Sequence, residues 1–338
     1  MNHAKLNAIR DLIQQDVGQR GLRTDPQTNL VTACADDFTQ ACSSIAEHPA
    51  PAVAIVTGFP IPEAEPPACE TDGPLGAIFL ARALLPGGIR IMLAIDPLGR
   101  RALDAGLGVC GLRKQVPVIV LPSFDQASRM TPAEYRQEFA DRAGSFTHLV
   151  ALERVGPGHT AESIDSGGEN IAAFRLDVAA EEEGRCRTMR GRDVTSLTSP
   201  VHYLFEEPAR QFTTIGIGDG GNEIGMGKIA WEIIRRNIPN GGRIACRVAT
   251  DWLIVCGVSN WGAYGLGAGV RLLRQHPDAS LFDPEQERTI LGAMVEHGPL
   301  VDGVTARQTA SVDGLAFEQH ADLLRQIGRI LDSGAVGQ

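Results

Sequence analysis

Six apolar runs recur along the chain and predict buried β-strands. Each run is continuous instead of alternating with polar residues, which is typical of strands that are covered on both faces of a sheet. The runs begin at Pro51, Ile89, Val116, Thr147, Thr213 and Trp252. Segments of helical length and pattern lie between most of them and predict helices over residues 72–85, 131–143, 222–237 and 261–275. This alternation predicts an α/β fold, with a doubly wound, mostly parallel sheet of about six strands and helices on both faces.

The segments outside this alternation are interpreted as additions to a single α/β domain, which we predict to span residues 1–338. Residues 1–48 predict N-terminal helices, and the first of them is amphipathic and lacks the apolar centre of a signal peptide. Residues 155–184 are polar and glycine-rich, then acidic, and predict a loop or a lid. Residues 284–338 predict a helical tail that is interrupted by two Val-Asp-Gly turns.

Composition narrows the classes of partner. The 338 residues are 43% hydrophobic, which supports a packed core, and they carry a formal net charge of -10. This acidic balance argues against a nucleic acid or an anionic membrane as partner, since both require a basic face. Seven cysteines without Cys-x-x-Cys spacing favour a reducing compartment, and no apolar run is long enough to predict a membrane span. We therefore expect a cytoplasmic protein with a small-molecule substrate, and the sequence leaves a homo-oligomer open.

One glycine-rich stretch raises the question of a phosphate site. Residues 213–236 read TTIGIGDGGNEIGMGKIAWEIIRR, a predicted strand followed by a turn and a predicted helix. The glycines satisfy Gly-x-Gly-x-x-Gly, but the next predicted strand does not end in the acid that holds a ribose, so we expect no nicotinamide or flavin. Asp219 and Glu223 would repel a pyrophosphate and favour an ammonium group or a metal ion. The alternative is that Asn222 caps the helix and Glu223 complements its dipole.

Further polar residues follow the other predicted strands, where open α/β sheets place their sites. Glu70 comes after a proline-rich loop behind the first strand, whereas Asp72 fits a helix cap. Glu153 and Arg154 end the fourth strand, and as neighbours on a strand they point to opposite faces. Arg190 suits bidentate binding of a carboxylate, with a surface ion pair as the alternative.

Seven motifs occur in a fixed order between about residues 53 and 314: TGFP, ETDGPLGA, ALERVG, MRGRDV, GIGDGGNEIGMG, SNWGAYGL and VDGVT…SVDGL. In this order the chain resembles the D-glutamate cyclase family, specifically its C-terminal domain. The resemblance implies a carbon–oxygen lyase that converts D-glutamate to 5-oxo-D-proline with loss of water. Longer members carry an additional N-terminal domain that resembles hydro-lyases, for which we expect no room here. Thr188 also replaces an asparagine of the family pattern before MRG.

Lactam closure requires an uncharged amine, a polarised γ-carboxylate and a proton for the departing oxygen. For this chemistry we predict Asp219, Glu223 and Glu70 as catalytic residues, with Asp219 and Glu223 as candidate ligands of manganese or magnesium. The predicted substrate-binding residues are Thr57, Arg154, Arg190, Asn222, Asn260, Asp302 and Thr305. Two other functions stay open. One is a metal-dependent hydrolase or transferase acting on a small carboxylate, and the other is an amino-acid-binding domain without catalysis.

Overall fold

The computed structural model describes residues 2–166, 168, 170–206 and 210–333. Its strands are β1 Ala52–Thr57, β2 Pro60–Ile61, β3 Ala68–Cys69, β4 Arg90–Ile95, β5 Val118–Val120, β6 His148–Leu152, β7 Thr213–Gly218 and β8 Trp252–Val255. Its α-helices are α1 Asn2–Ile13, α2 Leu30–Ala33, α3 Asp37–Glu47, α4 Pro74–Leu84, α5 Arg100–Val109, α6 Phe124–Ala127, α7 Pro132–Ala143, α8 Ala161–Ser166, α9 Ile171–Asp177, α10 His202–Phe205, α11 Trp231–Asn237, α12 Gly241–Ile244, α13 Ser259–Leu273, α14 Pro284–His297 and α15 Phe317–Asp332.

The main sheet has six strands in the order β5-β4-β1-β6-β7-β8, and every neighbouring pair is parallel. All six predicted strands are confirmed. The sheet grows outward from β1 in one direction with β4 and β5, and then in the other with β6, β7 and β8. This reversal creates a topological switch point between β1 and β6, and open α/β sheets bind ligands in the crevice at the carboxyl ends of such strands. The short β2 and β3 form a separate antiparallel pair.

Helices cover both faces of the sheet, as predicted. Along β1, Val53 and Ile55 pack into one apolar cluster and Ala54 and Val56 into the other, because successive strand residues point to opposite faces. The first cluster includes residues of α1, α3, α4, α5, α13, α14 and α15, and the second includes residues of α2, α7, α9, α10, α11 and α12. Burial on both faces explains why the strands read as continuous apolar runs.

The helix predicted over residues 222–237 is wrong in its first half, since α11 begins only at Trp231. Gly225 has a φ of +113°, and a Cβ there would lie 2.8 Å from the Cα of Gly216 on β7. A Cβ on Gly227 would lie 2.1 Å from the carbonyl oxygen of Arg247. These close approaches hold residues 223–230 against neighbouring backbone instead of letting them coil, although their apolar spacing fits a helix. The other three predicted helices are confirmed within two residues as α4, α7 and α13.

The remaining segments agree with the sequence in outline. Residues 155–184 contain the short helices α8 and α9, and isolated bridges tie the start of this segment to Cys186 and Cys246. Residues 2–47 form α1 to α3, and residues 298–316 make the turns between α14 and α15. The described part of the chain contains no helix that combines the length and apolar character needed to cross a membrane. That all 338 residues form one domain, and that residues 155–184 act as a lid, stay predictions.

Candidate active site

A cavity of about 190 Å³ lies at the carboxyl edge of the sheet, beyond the switch point. Its charged lining includes Arg20, Glu70, Glu153, Arg190 and Asp313. These residues come from five separate parts of the chain. The cavity is smaller than the roughly 300–1,000 Å³ typical of drug-sized ligands, so its dimensions suit a small metabolite.

Three buried carboxyl groups of the cavity lining lie next to three others behind it, and the six are called the acid cluster here: Glu70, Glu153 and Asp313 in the lining, with Asp72, Asp219 and Glu223. Within it, carboxylate oxygens of Asp72, Asp219 and Asp313 all lie within 4.8 Å of one another. The same holds for Glu153, Asp219 and Glu223, so Asp219 belongs to both groups. This crowding of acids predicts either bound cations or stored protons, because like charges at this spacing repel one another strongly when buried.

The electrostatic surroundings raise the pKa of four of these acids, namely Glu70, Asp72, Glu153 and Asp219. Burial raises the pKa of Glu70 and of Asp72 well above its ordinary value, and the nearby Asp313 carboxylate raises both further. Burial likewise raises the pKa of Glu153, with Glu223 as the strongest charged neighbour. For Asp219, burial also raises the pKa, although the Arg20 guanidinium opposes it. Groups of this kind exchange protons at a pH at which an exposed carboxyl is already ionised.

Glu223 organises the glycine loop from inside. Its carboxylate accepts hydrogen bonds from the backbone N–H groups of Asp219 (3.1 Å), Gly220 (2.7 Å) and Gly221 (2.8 Å). These are the donors that a phosphate would need, so the loop is not a phosphate cradle. The helix-cap alternative is wrong as well, because α11 begins only at Trp231 and the Asn222 amide donates to the carbonyl of Arg187 instead.

Asp72 and Asn260 cap each other's helices. The Asp72 carboxylate accepts from the N–H groups of Ser259 (2.8 Å) and Asn260 (2.7 Å) at the start of α13. Asn260 Oδ1 accepts from Gly73 (2.9 Å) and Gly76 (2.7 Å) at the start of α4. Asp72 therefore caps the partner helix and not the helix that follows it. Asn260 lies outside the cavity lining, and its amide is engaged in this exchange.

Glu153 and Arg154 diverge at the end of β6, as expected for neighbours on a strand. Glu153 adopts a φ of +44°, a sparsely populated conformation for a residue with a side chain, and accepts a hydrogen bond from the Ser259 hydroxyl at 2.5 Å. Arg154 is fully buried and pairs with Asp96. Its guanidinium also donates to the carbonyls of Gly58 (3.0 Å) and Ser199 (2.9 Å). Arg154 thus joins three loops and lies outside the cavity lining.

Two predicted substrate-binding residues line the cavity. Arg190 is exposed at the cavity mouth and donates to the carbonyl of Val304 at 2.7 Å. Asn222 lies deeper, and its Oδ1 is buried without a hydrogen-bond partner among the described residues. Thr57 is buried and outside the cavity lining, and its hydroxyl also has no hydrogen-bond partner among the described residues.

The two remaining predicted residues belong to the turn between α14 and α15. Asp302 accepts from the N–H groups of Val304, Thr305 and Gly314 and from the Ser311 hydroxyl. Burial alone would raise the pKa of Asp302, but these hydrogen bonds lower it below its ordinary value. Thr305 is exposed, and neither residue lines the cavity. The role of Asp302 in this structure is to shape the turn.

Sequence reasoning selected neither Arg20 nor Asp313 for the site. Arg20 Nη1 donates to Asp219 Oδ1 at 2.8 Å, and Nη2 pairs with Asp313 Oδ1 at 2.7 Å. The second oxygen of each acid, Oδ2, is buried without a partner among the described residues. Asp313 and Glu153 lay in motifs that the sequence had singled out, whereas no pattern distinguished Arg20 from the ordinary helix before it.

Comparison with known proteins agrees with this architecture. A family model described as "D-glutamate cyclase-like, C-terminal" matches residues 9–180 and 175–328. The human protein named "D-glutamate cyclase, mitochondrial" is 28% identical over 356 aligned residues, which cover 96% of this chain and 51% of that protein. The chain therefore spans about half the length of the curated relative that it matches.

Proposed function

Since the chain belongs to the D-glutamate cyclase-like family, we propose that it is a lyase that closes D-glutamate to 5-oxo-D-proline with release of water. One observation supports this reaction above others. A small cavity combines two carboxyl groups of raised pKa, Glu70 and Glu153, with the guanidinium groups of Arg20 and Arg190. A substrate with one ammonium and two carboxylate groups matches that distribution of charge.

The reaction moves two protons from one end of the substrate to the other. The ammonium nitrogen must lose a proton before it attacks the γ-carbon, and it loses a second one as the amide forms. The departing oxygen leaves as water after it gains two protons, so the overall step needs no net proton from the enzyme. A protein that performs it needs a group that accepts a proton beside a group that donates one, both near neutral pH.

Glu70 and Glu153 are the best placed for these transfers. Both line the cavity, and burial raises the pKa of each, so each can exchange a proton with a substrate in the cavity at a pH at which an exposed carboxyl is already ionised. Asn222 Oδ1 offers an acceptor for the substrate N–H groups, and the exposed Arg190 guanidinium offers donors for the α-carboxylate. Glu223 holds the loop beneath them and keeps its carboxylate on backbone N–H groups.

A divalent cation is the proposed cofactor, with Asp219 as its central ligand. The fit rests on two atoms, Asp219 Oδ2 and Asp313 Oδ2, which are buried and have no hydrogen-bond partner within the part of the chain that the structure describes. All the candidate ligands are carboxylate oxygens, which suit magnesium or manganese better than softer metals. When bound, the ion would neutralise carboxylate charge and stabilise negative charge that develops on oxygen. Glu223 is a weaker candidate ligand, since both of its oxygens already accept hydrogen bonds.

The direct test is to incubate the purified protein with D-glutamate and measure 5-oxo-D-proline by chiral chromatography and mass spectrometry. Samples with manganese, with magnesium and with a chelator test the cofactor at the same time. Glu70→Gln should lower the rate about 100-fold or more, within the range attributed to general acid–base groups. Glu318→Gln, a change in an exposed ion pair, serves as the matched control. Absence of product from the wild-type protein under every condition would rule out the proposal.

The second candidate function is binding of the amino acid without turnover. It is favoured by the charged lining of the cavity, which can hold the ammonium and carboxylate groups of an amino acid without any proton transfer. Thermal stabilisation by D-glutamate in the absence of any 5-oxoproline would support this candidate and exclude the first.

A further inference from the structure

Arg20 reaches the acid cluster from a loop that precedes Asp219 by 199 residues. The loop follows α1 and passes over the carboxyl end of β8, where the N–H of Gly257 donates to the carbonyl of Ile13 at 2.8 Å. A Cβ on Gly257 would lie 1.8 Å from the carbonyl oxygen of Gln15, so only glycine permits this passage. The Arg20 side chain then lines the cavity, with 15% of its surface exposed.

The loop holds Arg20 in a fixed position. The Asp16 carboxylate accepts from three successive backbone N–H groups, those of Arg20 (2.8 Å), Gly21 (2.9 Å) and Leu22 (3.0 Å). Gly21 has a φ of +95°, and a Cβ there would lie 2.3 Å from the carbonyl oxygen of Asn237. Such a loop suits a preorganised binding group, because no ordering is needed when the ligand arrives.

The guanidinium has donors to spare. Arginine carries five N–H donors, and Nη1 and Nη2 each use one on an aspartate, Asp219 and Asp313 respectively. Burial works to lower the pKa of Arg20, but the surrounding acids, with Asp219 and Asp313 the strongest among them, together raise it well above its usual value, so the group stays charged. The cavity thus offers two cations to a ligand: Arg20 at the acid cluster and Arg190 at the mouth.

We propose that Arg20 binds and polarises the γ-carboxylate of the substrate, while Arg190 receives the α-carboxylate. This inference rests on the proposed function. The γ-carboxylate is the group that exchanges protons, so it must lie beside the acids, and Arg20 contacts two of them. The α-carboxylate does not react, and a guanidinium at the solvent-exposed mouth is sufficient for it. Fixed N–H donors beside the reacting carboxyl stabilise the oxyanion that forms when the amine attacks.

Two ligands separate the two arginines without any turnover. Glutarate keeps both carboxylates and lacks the amine, so it cannot cyclise, whereas D-glutamine keeps the α-carboxylate and replaces the γ-carboxylate by a neutral amide. Dissociation constants are measured by calorimetry in the presence of manganese for the wild-type protein and for Arg20→Gln, Arg20→Lys and Arg190→Gln. Each titration is completed before a measurable fraction of the D-glutamine has reacted. Arg325→Gln, in an exposed ion pair on α15, is the control.

We expect Arg20→Gln and Arg20→Lys to raise the dissociation constant of glutarate at least 10-fold. The dissociation constant of D-glutamine should change by less than about 3-fold. Lysine keeps the charge but loses the planar fork, so it separates carboxylate binding from mere neutralisation of the acids. Arg190→Gln should weaken the binding of both ligands. Unchanged glutarate affinity in Arg20→Gln, an equal loss for both ligands, or no binding of glutarate by the wild-type protein would overturn the inference.

These outcomes are separable from the fate of the proposed reaction. If the wild-type protein forms no 5-oxoproline but the two ligands respond as expected, the proposed role of Arg20 in carboxylate binding is supported and the proposed reaction is refuted. If product forms and Arg20→Gln binds glutarate with the wild-type affinity, the proposed reaction is supported and the proposed role of Arg20 is refuted. Thermal melts of the Arg20 variants show whether the fold is intact, and Arg20→Lys provides a test should the glutamine variant fail to fold.

Discussion

Replacing Glu223 by glutamine should loosen the glycine loop by an amount that follows from its three hydrogen bonds. The carboxylate accepts from Asp219 and Gly220 with one oxygen and from Gly221 with the other. A glutamine can keep the first oxygen, but its amide nitrogen then faces the N–H of Gly221. That arrangement removes one charge-assisted hydrogen bond and leaves a buried donor unsatisfied, which costs about 1.5–3 kcal/mol.

Two further effects oppose each other. The two remaining bonds become neutral and lose about half of their strength, which adds about 1–2 kcal/mol. Removal of a buried negative charge relieves Glu153, for which Glu223 is the strongest charged neighbour, and this offsets part of the loss. We therefore expect a net loss of about 3 kcal/mol in the free energy of unfolding.

The assay is thermal unfolding at pH 7, checked by urea titration. At about 2.1 cal/mol/K per residue, the unfolding entropy of 338 residues is about 0.7 kcal/mol/K, so the midpoint should fall by about 4 °C. Glu318→Gln should change the free energy of unfolding by less than about 0.5 kcal/mol, because its ion pair is exposed. A Glu223→Gln midpoint within 1 °C of the wild type would refute the assignment of Glu223 as the organiser of the loop.

Three other outcomes follow from the same geometry. Asp219→Asn should lower kcat/KM for D-glutamate about 100-fold or more while circular dichroism stays unchanged, because it removes a partner of Arg20 and the central candidate ligand; wild-type kinetics would contradict both roles. Glu70→Gln should be more stable than wild type, with a gain in urea midpoint that grows as pH rises. Burial raises the pKa of Glu70 in the fold, so the wild type loses stability as pH increases from the ordinary carboxyl pKa through the raised one; a gain that is the same at pH 5 and pH 8 would contradict this. Asp96→Asn should cost about 3–5 kcal/mol in urea unfolding, since it leaves the Arg154 charge buried without a counter-ion, and a loss below about 1 kcal/mol would show that water reaches the pair.

Local pattern predicted the sheet well because its strands are buried on both faces, and such strands need a continuous apolar run. It also predicted that polar residues after the strands would meet, and Glu70, Arg190 and Asn222 do line one cavity. The start of α11 could not be predicted in the same way. The contact between Gly225 and Gly216 that keeps the chain out of a helix there is tertiary, and the apolar spacing alone fits a helix.

Other features of the site depend on which polar groups pair with one another through hydrogen bonds or ion pairs, and a sequence does not reveal these partners. Asp302 looked like a binding residue, yet its four hydrogen bonds all lie within its own turn. Arg154 looked available at a strand end, yet it is the counter-ion of Asp96. Arg20 gave no signal, because its role arises only when a loop near the N-terminus is brought against the end of β8.

The exchange of caps between Asp72 and Asn260 ties the start of α4 to the start of α13. Each side chain accepts hydrogen bonds from the start of the other residue's helix. Loss of Asp72 therefore leaves N–H groups of α13 without an acceptor, and loss of Asn260 does the same at the start of α4. The two positions are therefore energetically coupled, because residues that share one hydrogen-bond network do not contribute independently to stability.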